Sequence, residues 1–153
     1  MSRVVGLLSS FIGMFVGAAF AGEVIVSEAW TRASAPAQKV AGVYFNIQSN
    51  IDARLVGVRT ELTEVAEIHL MSVEDGVMRM RAVEAVELPT GKTVAFQPGG
   101  YHVMLFDLPR LLKPGEQFTL ELLVDDEAGQ RSTLTVSVRV RNLDGSEVQN
   151  RRH

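Results

Sequence analysis

The chain contains no cysteine. That one absence removes disulfides, thiolate metal ligands and a cysteine nucleophile together. An excess of either charge is also missing. Lys and Arg number 15 against 18 Asp and Glu, a formal net charge of −3, which leaves no electrostatic footprint for nucleic acid or anionic lipid. No long amphipathic helical pattern occurs. The acidic residues are scattered, so no carboxylate pair suggests glycosidase or protease chemistry. Serine and threonine lack the flanking glycines of a nucleophile elbow. Pro98-Gly99-Gly100 is too short to cradle a phosphate and no helix follows it. These absences point away from an enzyme.

The first 21 residues read as an export signal. Arg3 supplies the positive charge, Val4 to Phe20 is apolar apart from Ser9, Ser10 and glycines, and Ala19-Phe20-Ala21 offers small residues at the two positions a signal peptidase reads. The alternative is an uncleaved anchor, since the run just reaches the ~18 residues needed to span a bilayer. Without a twin arginine, the general secretory route to the periplasm is expected, with no stable membrane insertion after cleavage. Residues 22–141 then form one domain, long enough to fold without staples, and 142–153 a frayed polar tail.

Beyond residue 22 the pattern is period-two alternation broken by Gly, Pro, Asn and Asp. It predicts strands near 23–29, 40–48, 53–60, 64–72, 77–88, 93–96, 101–106, 117–125 and 131–140. Short strands at this spacing imply an all-β antiparallel sandwich or barrel. Trp30, Tyr44, Phe45, Phe96, Phe106 and Phe118 are expected to serve packing within and between strands.

The chemistry that remains is concentrated in histidine and methionine. Both histidines of the domain stand two residues before a methionine, in His69-Leu70-Met71 and His102-Val103-Met104. All methionines past the N-terminal segment (Met71, Met78, Met80, Met104) share this stretch. Alternation places Val65, Glu67, His69 and Met71 on one strand face, opposite the all-apolar Ala66, Ile68 and Leu70. It likewise buries Val103 and Leu105 and turns His102, Met104 and Phe106 the other way. Asp75-Gly76 is a two-residue type I′ hairpin signal. In that register Met71 faces Met80, His69 faces Ala82, and Met80 joins the face of His69. A three-residue loop would shift the pairing by one and turn Met80 away.

Thioethers are soft, uncharged and carry no acidic proton, so with imidazoles they suit Cu(I) and largely ignore Zn(II) and Mg(II). His69, Met80, His102 and Met104 are therefore the expected ligands, with Met71 as a further candidate. Met78 is assigned to hairpin packing, and His153 to the tail without a role. No carboxylate or thiolate enters the set, so a bound ion would keep its charge and be held with moderate strength. That suits a carrier that must release its cargo.

With these residues in view, the chain resembles the periplasmic copper chaperones associated with the Cu(A) site of cytochrome c oxidase, the PCuAC family. Their signature is a histidine, an optional nearby methionine, ten residues, a methionine, twenty-one residues, then His-x-Met. Here His69, Met80 and His102-Val103-Met104 fall at those spacings, with Met71 displaced by one from direct adjacency. Glu28-Ala29-Trp30 with Arg32, Gly76-Val77-Met78, Pro98 to His102 and Leu112 to Glu116 also look alike, so the likeness covers about residues 23–140.

The resemblance implies a cupredoxin-like Greek-key β-sandwich holding one exposed Cu(I). It also implies delivery to an acceptor such as cytochrome c oxidase subunit II or a Sco-type protein, by a monomeric, non-enzymatic carrier. Copper buffering or resistance without a dedicated acceptor is the alternative. Some relatives carry a His/Met-rich C-terminal extension. Here the tail has only His153, which argues against a second site.

Overall fold

The computed structural model describes residues 19–149. Most of the predicted export signal (residues 1–18) and His153 lie outside that range. The described residues contain ten strands and no helix. In chain order they are β1 (Val24–Arg32), β2 (Ala41–Ser49), β3 (Ala53–Thr60), β4 (Ala66–Glu74), β5 (Val77–Ala82), β6 (Val86–Leu88), β7 (Thr93–Phe96), β8 (Tyr101–Leu105), β9 (Gln117–Asp126) and β10 (Arg131–Arg141).

They form one sheet in the order β5-β4-β8-β7-β2-β1-β10-β9-β3-β6, with β8 also pairing β2. The expected all-β fold is present as a single curled sheet. Two pairings are parallel rather than antiparallel, β1 with β10 and the short β7–β8 contact at Phe96 and Tyr101.

Nine strands were expected where ten occur, because the predicted strand 77–88 is two. β5 pairs β4 at one edge of the sheet, and β6 pairs β3 at the other. Only Val83, Glu84 and Ala85 connect them. Four residue steps span at most about 14 Å, so the sheet must curl until its two edges nearly meet. Val83 still donates its N–H to the Ile68 carbonyl at 2.9 Å before the chain crosses. No Gly or Pro marks this crossing, which is why the stretch reads as one strand.

The curl wraps a core of small and branched apolar side chains. Val43, Ile47, Leu55, Val103, Leu105, Leu120, Leu122, Val124, Val138 and Val140 are fully buried. Phe45 and Phe96 stack within it, ring centroids 4.4 Å apart. Phe118 packs against the core from partial burial. Ile68, Val103 and Leu105 occupy the core side of β4 and β8, as alternation requires. Their neighbours in sequence must then project outward, and these are the histidines and methionines.

Candidate metal centre

Three neighbouring strands build the centre. Asp75 (φ 52°) and Gly76 (φ 74°) both adopt the left-handed conformation, the requirement of a two-residue type I′ turn. The turn fixes the β4–β5 register, in which Met71 faces Met80, Val73 faces Met78 and His69 faces Ala82. On its other side β4 pairs β8, with His69 directly opposite His102 and Glu67 opposite Met104. Met80 therefore shares the face of both histidines, as expected from the sequence.

The side chains meet in the space above these strands. His102 Nε2 lies 3.1 Å from Met80 Sδ. The rings of His69 and His102 have centroids 5.9 Å apart and are tilted by 47°. Two nitrogen–metal bonds of ~2.0 Å with the two ring radii come to about 6 Å, so one ion fits between the imidazoles. Met104 is half-buried on the same face, opposite Glu67 on β4 and Gly42 on β2. Met71 is half-buried beside His69 and across from Met80. Met78 continues this face toward the turn and is 66% exposed.

Burial differs from expectation. His69 is only 9% exposed and His102 only 4%, whereas Met80 is 49% exposed. The imidazoles are therefore recessed, and a thioether on the edge strand covers them. Phe106 stands beside His69, with centroids 5.7 Å apart. Tyr44 stands beside His102 at 6.4 Å, backed by Trp30 at 4.8 Å. Trp30 and Tyr44 form a cross-strand packing pair as expected, and Tyr44 and Phe106 also border the histidines on the outer face.

The hydrogen bonds define which nitrogens are free. His102 Nδ1 donates to the Gly100 carbonyl at 3.0 Å. The neutral ring is then left with a lone pair on Nε2, facing the lone pairs of Met80 Sδ. A cation between them, proton or metal, is what such a pair accommodates. His69 Nε2 donates to Glu67 Oε2 at 2.8 Å, and His69 Nδ1 is buried with no partner. A buried polar atom without a partner is costly, and an ion at this position would satisfy it. The donor set therefore fits a soft cation.

Sequence reasoning placed Glu67 on this face but gave it no part. Its carboxylate borders the ligand set, so the centre does not lack a balancing negative charge. The only advance signal was the Glu-x-His spacing on one strand face. Among the described residues, no group of three or more His, Cys, Asp or Glu forms a metal cage.

Residues 24–140 match the family described as "Putative lipoprotein LpqE-like". The chain belongs to that family. The LpqE-like family is the PCuAC family, in agreement with the resemblance read from the sequence. This LpqE-like chain is 28% identical over 122 residues to "Putative lipoprotein Lxx21020" of Leifsonia xyli subsp. xyli, covering 79% of this chain and 71% of that one. Its fold is that of the copper-bound PCuAC domain from PmoF2, with TM-score 0.61 and 21% identity over 78% of this chain and 92% of that domain. It is also similar to the Cu(I) form of DR1885 from Deinococcus radiodurans, with TM-score 0.55 and 26% identity over 85% of this chain and 83% of that one.

Proposed function

We propose that this protein is an exported carrier of Cu(I). His69, Met80, His102 and Met104 hold one ion, and Met71 stands beside the set as a further thioether. The observation that carries the reading is the meeting of His102 Nε2 and Met80 Sδ at 3.1 Å, opposite a histidine whose Nδ1 is buried and unpartnered. The Cu(I) form of DR1885 and the copper-bound PmoF2 domain support copper as the cargo.

The chemistry follows from the donor types. Two neutral imidazoles and two thioethers bind a monovalent soft cation without losing a proton from sulfur. The recessed imidazoles exclude bulk water, and the half-exposed Met80 leaves one side open to an incoming ligand. Transfer then proceeds by exchange of donors, with the acceptor replacing Met80 first and the histidines later. Acceptors of fitting chemistry are the CuA centre of cytochrome c oxidase subunit II and Sco-type proteins. The work is done in the periplasm after signal removal, by a monomer and without catalysis. The lipoprotein names of the relatives support export. The 153 residues of this chain contain no thiol to which a lipid could be attached.

Copper sequestration without a dedicated acceptor is the second reading, favoured by the burial of both imidazoles. The deciding experiment is Cu(I) titration of residues 22–153 against a competing chelator, with His102→Ala and Met80→Leu beside the wild type. One equivalent is expected in the wild type and strong loss in both variants. Unchanged affinity in the variants would refute the ligand assignment. Subsequent mixing with an oxidase CuA domain separates the readings, since a carrier gives up its ion and a buffer retains it. Equal affinity for Zn(II) would count against the thioether argument.

A further inference from the structure

Resting on the Cu(I)-carrier reading, we propose that Glu67 is a positioning residue that makes His69 bind metal through Nδ1, whereas His102 binds through Nε2. The two imidazoles face each other across β4 and β8, yet they are held by opposite nitrogens. A carbonyl oxygen can only accept, so the Gly100 carbonyl 3.0 Å from His102 Nδ1 fixes the proton there and bares Nε2. A carboxylate likewise accepts, so Glu67 Oε2 at 2.8 Å fixes the proton of His69 on Nε2 and bares Nδ1. The bared atoms are the two that matter. His102 Nε2 meets Met80 Sδ, and His69 Nδ1 is buried with no partner.

Glu67 can play this part because of its place in the sheet. It lies two residues from His69 on the same strand, so alternation puts both side chains on one face. Its own side chain is 47% exposed while that of His69 is 11% exposed. The carboxylate thus stays hydrated while its bond reaches inward to a recessed ring. A histidine whose second nitrogen is held by a carboxylate has its ring orientation fixed and its donor atom made more basic. The nearby negative charge also offsets that of the ion. His102 receives its orientation from a backbone carbonyl, which brings no charge. The two ligands are therefore unequal, and side-chain substitution can alter only the partner of His69.

Nitrogen-15 NMR of the labelled mature domain tests this at the level of atoms, with Ag(I) as the probe. Ag(I) shares the softness of Cu(I), and its spin splits the resonance of each nitrogen it touches. Splitting is expected on His69 Nδ1 and His102 Nε2. In the metal-free protein, His69 should carry its proton on Nε2. Splitting on His69 Nε2, or a metal-free His69 protonated on Nδ1, overturns the proposal. If the wild type takes up no Ag(I) or Cu(I), the carrier reading fails, while the metal-free spectrum still decides the tautomer.

Substitution supplies the second arm. Glu67→Ala should weaken Cu(I) binding by about 10–100-fold, the usual effect of losing such a partner. Glu67→Gln keeps an oxygen acceptor without the charge, so it should retain the Nδ1 splitting and lose less affinity than Glu67→Ala. Affinity unchanged in a folded Glu67→Ala protein overturns the proposal. Should Glu67→Ala fail to fold, the glutamine variant and the wild-type splitting still decide it.

Discussion

Met71 and Met80 face each other across β4 and β5 in a pair that exchanges no backbone hydrogen bonds. The assignment follows from the adjacent bond of Val83 N–H to the Ile68 carbonyl, because hydrogen-bonded and open pairs alternate along an antiparallel ladder. Open pairs bring their side chains closest, so the two thioethers lie side by side. Only Met80 is seen against His102. Cu(I) competition titration should therefore show a loss on the order of 100-fold for Met80→Leu and a smaller one for Met71→Leu. Equal losses would make Met71 a full ligand.

The β4–β5 turn offers a sharper test. Deleting Val77 keeps the two-residue Asp75-Gly76 turn and places Met78 opposite Glu74, so the pairing of β5 shifts by one. Met80 then points to the opposite face, away from His102. Every residue of β5 is exposed, so the core has no stake in that strand. Cu(I) binding should fall as far as in Met80→Leu, while the melting temperature moves by only a few degrees. A domain that unfolds outright would show that the hairpin is part of the cooperative core.

Gly42 leaves space that Tyr44 fills. A Cβ at position 42 would stand 2.8 Å from the Tyr44 hydroxyl and 3.2 Å from its Cζ. Gly42→Ala should cost about 1–3 kcal/mol by overpacking and displace the ring that borders His102. The fall in melting temperature and the shift of the His102 imidazole resonances measure the two effects. Tyr44→Phe removes the nearer atom, so combining it with Gly42→Ala should recover part of the loss in a double-mutant cycle. Strict additivity would mean that the contact does not form.

Acid sensitivity should have one traceable source far from the metal centre. Asp52 accepts hydrogen bonds from the Thr90 backbone N–H and hydroxyl, both at 2.7 Å, and these hold its carboxyl below the usual range. A lowered folded-state value stabilises the native protein above the unfolded value of about 3.9, and the contribution disappears as pH falls through the folded one. Asp52→Asn should therefore lower the melting temperature at neutral pH, with the gap to wild type narrowing below about pH 4. A gap that stays constant from pH 7 to pH 2.5 would exclude Asp52 as the source.

The chain announced some of this and concealed the rest. Asp75-Gly76 fixes a register by backbone conformation alone, so the meeting of Met80 with the histidine face could be read in advance. His69 and His102 could be placed on their face by alternation with Ile68 and Val103. Their burial could not, because it arises from Tyr44 on β2, Met80 on β5 and Phe106 just past β8, which converge from separate parts of the sheet. The crossing between two sheet edges at Val83, Glu84 and Ala85 was hidden because it carries neither the Gly nor the Pro that marks a turn. The bond from Glu67 to His69 was equally out of reach. Strand periodicity gives the face of a carboxylate but not the atom it touches.

Three of the proposed ligands stand on β4 and β8, which are anchored through Ile68, Val103 and Leu105 in the core. The fourth stands on β5, which is joined to the rest of the sheet along β4 alone. Peeling that outer ladder uncovers the recessed imidazoles but leaves the apolar core intact, so it opens at far lower free energy than the domain unfolds. With the proposed ligand set, an ion would lie beneath a clasp on a rigid wall, and an acceptor would need only to lift the clasp.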